Sequence, residues 1–176
     1  AIAILGWPVN KLSPQLAAKV IEGARKICVE AGIPLAGGHS IDSPEPIFGL
    51  SVNGLVPLKN LKRNNTSTEG NFLYLTKKIG VGILSTAEKR GLLKEEHKAL
   101  AAKQMMQLNS IGSELSKLPQ VTAMTDVTGF GLLGHLIEMT EGKNLQAEIN
   151  YSKIPLLEGL SFYTSQMCVP DNTFRN

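Results

Sequence analysis

The ten residues Gly37-Gly-His-Ser-Ile-Asp-Ser-Pro-Glu-Pro46 constrain this chain more than any other stretch. They pack two glycines, a histidine, a hydroxyl, two carboxylates and two prolines between the apolar runs Ile33–Ala36 and Ile47–Leu50. The pattern predicts a loop held between two strands, and loops on rigid scaffolds are where sites usually sit. Gly37 and Gly38 let the backbone approach a ligand closely or take positive φ. His39 and Ser40 then offer a ring nitrogen and a hydroxyl beside exposed amides, a set that suits phosphate oxygens or a nucleotide. Asp42 and Glu45 read as structural acids that cap the turn and pair with a neighbour, because Pro44 and Pro46 hold this stretch extended.

Few function classes survive the composition. A net charge of +3 on 176 residues gives no reason to invoke nucleic acid or an acidic membrane. No apolar run approaches the length of a membrane span. The two cysteines, Cys28 and Cys168, are far apart and unpatterned, which fits a reducing compartment and predicts a cytoplasmic protein. Both ends read as cut, so the chain is expected to be an internal piece of something longer.

Element by element, Ala1–Leu5 reads as a buried strand end. A helix should follow, with Ser13 as N-cap, Pro14 in the first helical position, and Gly32 ending it in a left-handed conformation. Its apolar stripe is Ala17, Ile21, Ala24, Cys28 and Ala31, which makes Cys28 a packed core thiol. Phe48, Leu50 and Val52 alternate with small or polar residues, as in a half-buried strand. Polar, basic, turn-rich residues at Pro57–Gly70 suggest a boundary, with a first domain over 1–58, a linker over 59–70 and a second domain from 71 onward. In that second part, strands are expected at 72–76, 121–124 and 145–149. Helices are expected toward Arg90, over 95–118, through Leu132–Ile137 and over 156–167. Met105 and Met106 read as core filler. The class is α+β, layered sheets with helices on one face, in parts of two consecutive domains.

A second dense segment is Thr125-Asp-Val-Thr-Gly-Phe-Gly-Leu-Leu-Gly-His135. Asp126 stands at a strand end, and Thr128 can cap the helix that opens at the glycines. Free N–H groups at a helix start favour an anion, and Asp126 can hold a metal bound to that anion. Alternatively, Asp126 supports the turn through an Asx hydrogen bond. Gly129, Gly131 and Gly134 spell a formal G-x-G-x-x-G, the basis of an alternative NAD-binding oxidoreductase reading, although a dinucleotide unit should open its fold with longer parallel strands. His135 reads as a helix-packing residue and His97, in a charged helix start, as solvent-facing.

The quoted residues resemble the selenophosphate synthetase (selenide, water dikinase) family, in the superfamily of aminoimidazole-ribonucleotide-synthetase-like ATP enzymes. The resemblance is carried by Ala1-Ile-Ala-Ile-Leu-Gly-Trp-Pro8, Ala36-Gly-Gly-His-Ser-Ile-Asp42, Pro44-Glu-Pro-Ile-Phe-Gly49, Leu75-Thr-Lys77, Thr86-Ala-Glu-Lys89 and Met124-Thr-Asp-Val-Thr-Gly-Phe-Gly-Leu-Leu-Gly-His-Leu136. It implies conversion of ATP, selenide and water to selenophosphate, phosphate and AMP, with Mg2+, in a homodimer. By position, Gly38, His39 and Ser40 match the family's nucleotide-contacting loop and Asp126 a magnesium-binding aspartate. The family's catalytic cysteine or selenocysteine and its further metal-binding aspartates have no counterpart in these residues. The given chain alone is therefore expected to be inactive, and the alternative is a non-catalytic folding or dimerisation piece. The family's Gly-Gly-Thr-x-Arg-Asn turn appears as Asp171-Asn-Thr-Phe-Arg-Asn176, so no ligand role is carried over to Arg175 or Asn176.

Overall fold

Local punctuation shapes the first helix, α1 (Pro14–Glu30), in the computed structural model, which describes residues 1–174. Pro14 takes the opening position, with Ser13 extended before it; the Ser13 hydroxyl makes no capping bond. At the other end Gly32 adopts φ +70. The Ile33 N–H bonds the Cys28 carbonyl at 2.9 Å and the Gly32 N–H bonds Val29 at 3.0 Å, which closes a Schellman motif on the last orphan carbonyls. Arg175 and Asn176 lie outside the described residues.

The chain divides into two units, Ala1–Val56 and Pro57–Asn176. The first is a three-stranded sheet of order β2-β1-β3, from β1 (Ile2–Trp7), β2 (Gly38–Asp42) and β3 (Ile47–Ser51). β1 runs parallel to β2 and antiparallel to β3. Burial alternates along the start of β1. Ala3, Leu5 and Trp7 are buried, whereas Ile2 and Ile4 are about half exposed. The β1–α1–β2 order makes α1, with Ala24 and Cys28 buried, the element available to cover that inner face. Half of the expected loop at 37–46 is therefore a strand. Glycine and proline signal a break locally, but pairing with β1 from Ala3↔Gly38 to Trp7↔Asp42 overrides them, and the turn shrinks to the residues around Ser43 and Pro44.

In the second unit the core gathers Leu84, Ala87, Ala101, Leu157, Leu160, Tyr163 and Cys168. They come from α2 (Val81–Lys89), α3 (Leu100–Met106), α6 (Leu160–Ser165) and the turns around them. α4 (Ile111–Ser116) and α5 (Gly131–Thr140) complete the helices. The strands expected at 72–76, 121–124 and 145–149 do not form among the described residues; only an isolated bridge joins Ile79 to Leu156. A strand exists by its ladder, and Phe72 and Tyr74 stand 84% and 86% exposed without one. The single helix expected over 95–118 is broken into a 3-10 turn at Glu95–His97, then α3, then α4. Between α3 and α4 the Lys77 ammonium bonds the Gln107 carbonyl, and the Asn109 carbonyl accepts from Gly112 at 2.9 Å. Met105 and Met106 are consequently exposed rather than core filler.

His97 also departs from expectation. Its ring is bonded to the fully buried Tyr163, Nδ1 to hydroxyl, at 2.6 Å. The same hydroxyl accepts the Lys94 N–H at 3.1 Å. Gly159 makes room for this ring: a Cβ there would overlap it.

The turn-rich stretch after Pro57 is bonded into the second unit. Met124 N–H reaches the Arg63 carbonyl at 3.1 Å, and Thr66 Oγ1 donates to the Thr122 carbonyl at 2.6 Å. Thr122 Oγ1 donates in turn to Asn71 Oδ1 at 2.5 Å, while Lys62 reaches the Leu118 carbonyl at 3.1 Å.

Candidate functional site

In the first unit, β2 brings Gly38, His39 and Ser40 together on an edge strand. An edge leaves alternate N–H and C=O groups outside the ladder, where they can meet a ligand. Successive strand residues face opposite sides. His39 therefore shares a face with its register partner Ile4 and with Ile41, and Ser40 shares the other with Leu5. Both side chains are exposed, and neither has a hydrogen-bond partner among the described residues.

Gly38 has a structural reason to be glycine: a Cβ there would overlap the carbonyl oxygen of Ala3. The close approach expected at this position is thus made by β1 itself. Past the end of β2, an open cleft of about 300 Å³ is lined by Pro8, Asn10, Lys11, Asp42, Ser43 and Pro44. Lys11 Nζ donates to the Pro44 carbonyl at 2.8 Å. Asp42 and Glu45, expected to pair with a neighbour, have no such partner among the described residues.

In the second unit, Asp126 lies in an irregular segment just ahead of α5. Its carboxylate is exposed and makes no hydrogen bond or ion pair among the described residues, so no Asx bond occupies it. No group of three or more His, Cys, Asp or Glu is placed to hold a metal among those residues. One carboxylate is still a sufficient protein share for Mg2+, which keeps several waters and takes substrate phosphates as its other ligands. The donor chemistry of Asp126 fits the ion in that mode.

Thr128 does not cap α5 with its side chain. Phe130 is the residue ahead of the helix, and Gly131, at φ +71, sends its N–H to the Thr128 carbonyl at 3.0 Å. The Thr128 hydroxyl is bonded instead to His135 Nε2 at 3.1 Å. His135 is buried, as a helix-packing histidine should be, and its Nδ1 lies 3.2 Å from Glu138 Oε2. The Gly129, Gly131, Gly134 triplet lacks its dinucleotide context, because no strand leads directly into it: residues 121–128 are irregular. Gly134 is needed for packing: a Cβ there would stand 2.8 Å from the Phe130 Cβ. The Glu138–His135–Thr128 chain was missed in the sequence, although histidine three residues before a glutamate on a helix was a readable signal.

The family model for the N-terminal domain of AIR synthase related proteins matches residues 1–56, and that for the C-terminal domain matches residues 68–169. Over all 176 residues the chain is 57% identical to the selenide, water dikinases of Aeromonas hydrophila subsp. hydrophila, Colwellia psychrerythraea and Pseudomonas putida. The match takes in 100% of this chain and 51% of each relative, so the chain spans about half the length of the curated relatives it matches. With both domain models laid in order along most of its length, the chain belongs to the AIR synthase related protein family.

Proposed function

We propose that this chain is the central part of a selenide, water dikinase, which converts ATP, selenide and water to selenophosphate, orthophosphate and AMP. The observation that carries this reading is 57% identity to proteins of that name, sustained across every residue of the chain. Gly38, His39 and Ser40 would contact the nucleotide: exposed amides, a ring nitrogen and a hydroxyl can share the charge of a polyphosphate. Asp126 would supply one ligand to Mg2+, and that ion when bound neutralises charge on the transferring phosphoryl group. The catalytic nucleophile is not assigned to Cys28 or Cys168; both thiols are free and buried.

The same reading includes an ATP-binding part over 1–58, a linker over 59–70, a second domain from 71, a homodimer and a cytoplasmic location. Homodimerisation is supported by the sheet face away from Ala3 and Leu5, where Ile2, Ile4, Ile41 and Ile47 are 50–60% exposed. Free thiols suit a reducing compartment, and no helix among the described residues is long and apolar enough to cross a membrane. For the chain in isolation the alternative is a narrower reading, that it folds or dimerises without catalysing. Turnover by the isolated chain would refute that.

A thermal-shift comparison tests the ligand class. ATP with Mg2+ should raise the melting temperature of the full-length protein, whereas NADH at equal concentration should not. Stabilisation by NADH alone would favour the oxidoreductase alternative.

A further inference from the structure

We infer that the cleft past the end of β2 is the subsite for the sugar of the nucleotide, with Asp42 recognising its hydroxyls; this rests on the nucleotide role proposed above for Gly38, His39 and Ser40. The cleft opens at the carboxyl ends of the parallel pair β1 and β2, between Pro8, just beyond β1, and Asp42, the last residue of β2. Strands joined by a helical crossover take their ligands at that end. Alternate residues of a strand share a face, so Gly38, Ser40 and Asp42 lie along one face of β2. Asp42 follows Ser40 by about 6.6 Å of strand. A nucleotide whose phosphates meet Ser40 therefore brings its next group, the sugar, to the cleft.

The lining selects the ligand. Asp42 and Lys11 stand in one cleft with opposite charges, yet form no ion pair with each other. The carboxylate repels a bare anion and the ammonium repels a metal ion, so the pair favours a neutral group rich in hydroxyls. The carboxylate can accept from two neighbouring hydroxyls, and the Asn10 amide and Ser43 hydroxyl can donate or accept. The side chains of Asp42, Asn10 and Ser43 have no hydrogen-bond partner among the described residues. Pro8 and Pro44 supply apolar surface for sugar carbons, and no aromatic ring among the described lining residues is there to stack a base. The walls are tied in advance. Lys11 Nζ donates to the Pro44 carbonyl at 2.8 Å, and the Ser43 N–H to the Trp7 carbonyl at 3.2 Å. Gly6 lets the turn sit this close, since a Cβ there would stand 3.1 Å from the Ser43 Cβ. A cleft already formed takes its ligand at a lower ordering cost.

The test compares ATP with 2′,3′-dideoxy-ATP on the full-length protein in the presence of Mg2+, by calorimetry. The wild type should bind ATP at least about tenfold more tightly than the dideoxy analogue, which lacks the hydroxyls that bond the charged Asp42. Asp42→Ala should weaken ATP by about that factor and leave the analogue unchanged, so that the two bind alike. Asp42 is exposed and unpaired among the described residues, so the fold does not depend on it. Ser40→Ala, which removes a phosphate contact, should weaken both nucleotides by the same factor. An undiminished preference for ATP in Asp42→Ala, or an equal loss of both nucleotides, would overturn the subsite. The two levels separate cleanly: if Ser40→Ala weakens ATP binding and Asp42→Ala does not, only the subsite fails. If the wild type binds neither nucleotide, the nucleotide role fails and takes the subsite with it.

Discussion

Gly38→Ala should strip β2 from the sheet and destabilise the full-length protein by about 3 kcal/mol, the upper end of overpacking costs. The added Cβ overlaps the carbonyl oxygen of Ala3 and stands 2.9 Å from the carbonyl carbon and 3.1 Å from the Cα. These are backbone atoms of the central strand, which cannot rotate aside. β2 must therefore move, and the pairs Ile4↔His39 and Leu5↔Ser40 move with it. Gly49→Ala is the control on the other side of β1, since its Cβ would meet only the Ile4 Cγ2 at an ordinary 3.7 Å. Urea unfolding reads the stability and amide exchange over Gly38–Asp42 reads the location. The Gly38 variant should lose protection there and weaken ATP binding, while Gly49→Ala should do neither. Full protection in Gly38→Ala would mean that β1 and β2 have slack this packing does not allow.

Asp126→Asn should lower magnesium-dependent turnover of the full-length enzyme by at least about tenfold and raise the magnesium concentration needed for half-activity. The substitution removes a charge and keeps the shape. The carboxylate is exposed and unpaired among the described residues, so nothing in the fold depends on its charge. Stability should therefore change by no more than an ordinary surface substitution does, about 0.5 kcal/mol. Unchanged magnesium dependence would remove the metal role from Asp126. A large fall in stability would give it a structural task that the described contacts do not show.

What could be read without coordinates was what is decided locally. Pro14, Gly32 and the stripe through Ala24 and Cys28 needed no distant partner, and α1 starts and stops as they dictate. β3 followed from the alternation around Phe48 and Leu50. The failures are non-local. β2 looked like a loop because its glycines and prolines are loop signals, yet Ala3, some 35 residues earlier, is what makes Gly38 necessary. His97 looked solvent-facing because its neighbours are charged, but its partner Tyr163 lies 66 residues away. Residues 72–76 have strand composition and no ladder, and composition alone does not pair a strand. In the candidate site, Asp126 stood out as a carboxylate beside a glycine-opened helix. Thr128 was given the wrong partner: it is near enough to cap α5, but His135 takes its hydroxyl.

One turnover measurement on the full-length protein is the most direct test of the proposed activity. Full-length protein incubated with ATP, Mg2+ and selenide should release AMP and orthophosphate and form selenophosphate, visible by phosphorus NMR, with no AMP when selenide is omitted. AMP release independent of selenide, or phosphoryl transfer to a different acceptor, would contradict it.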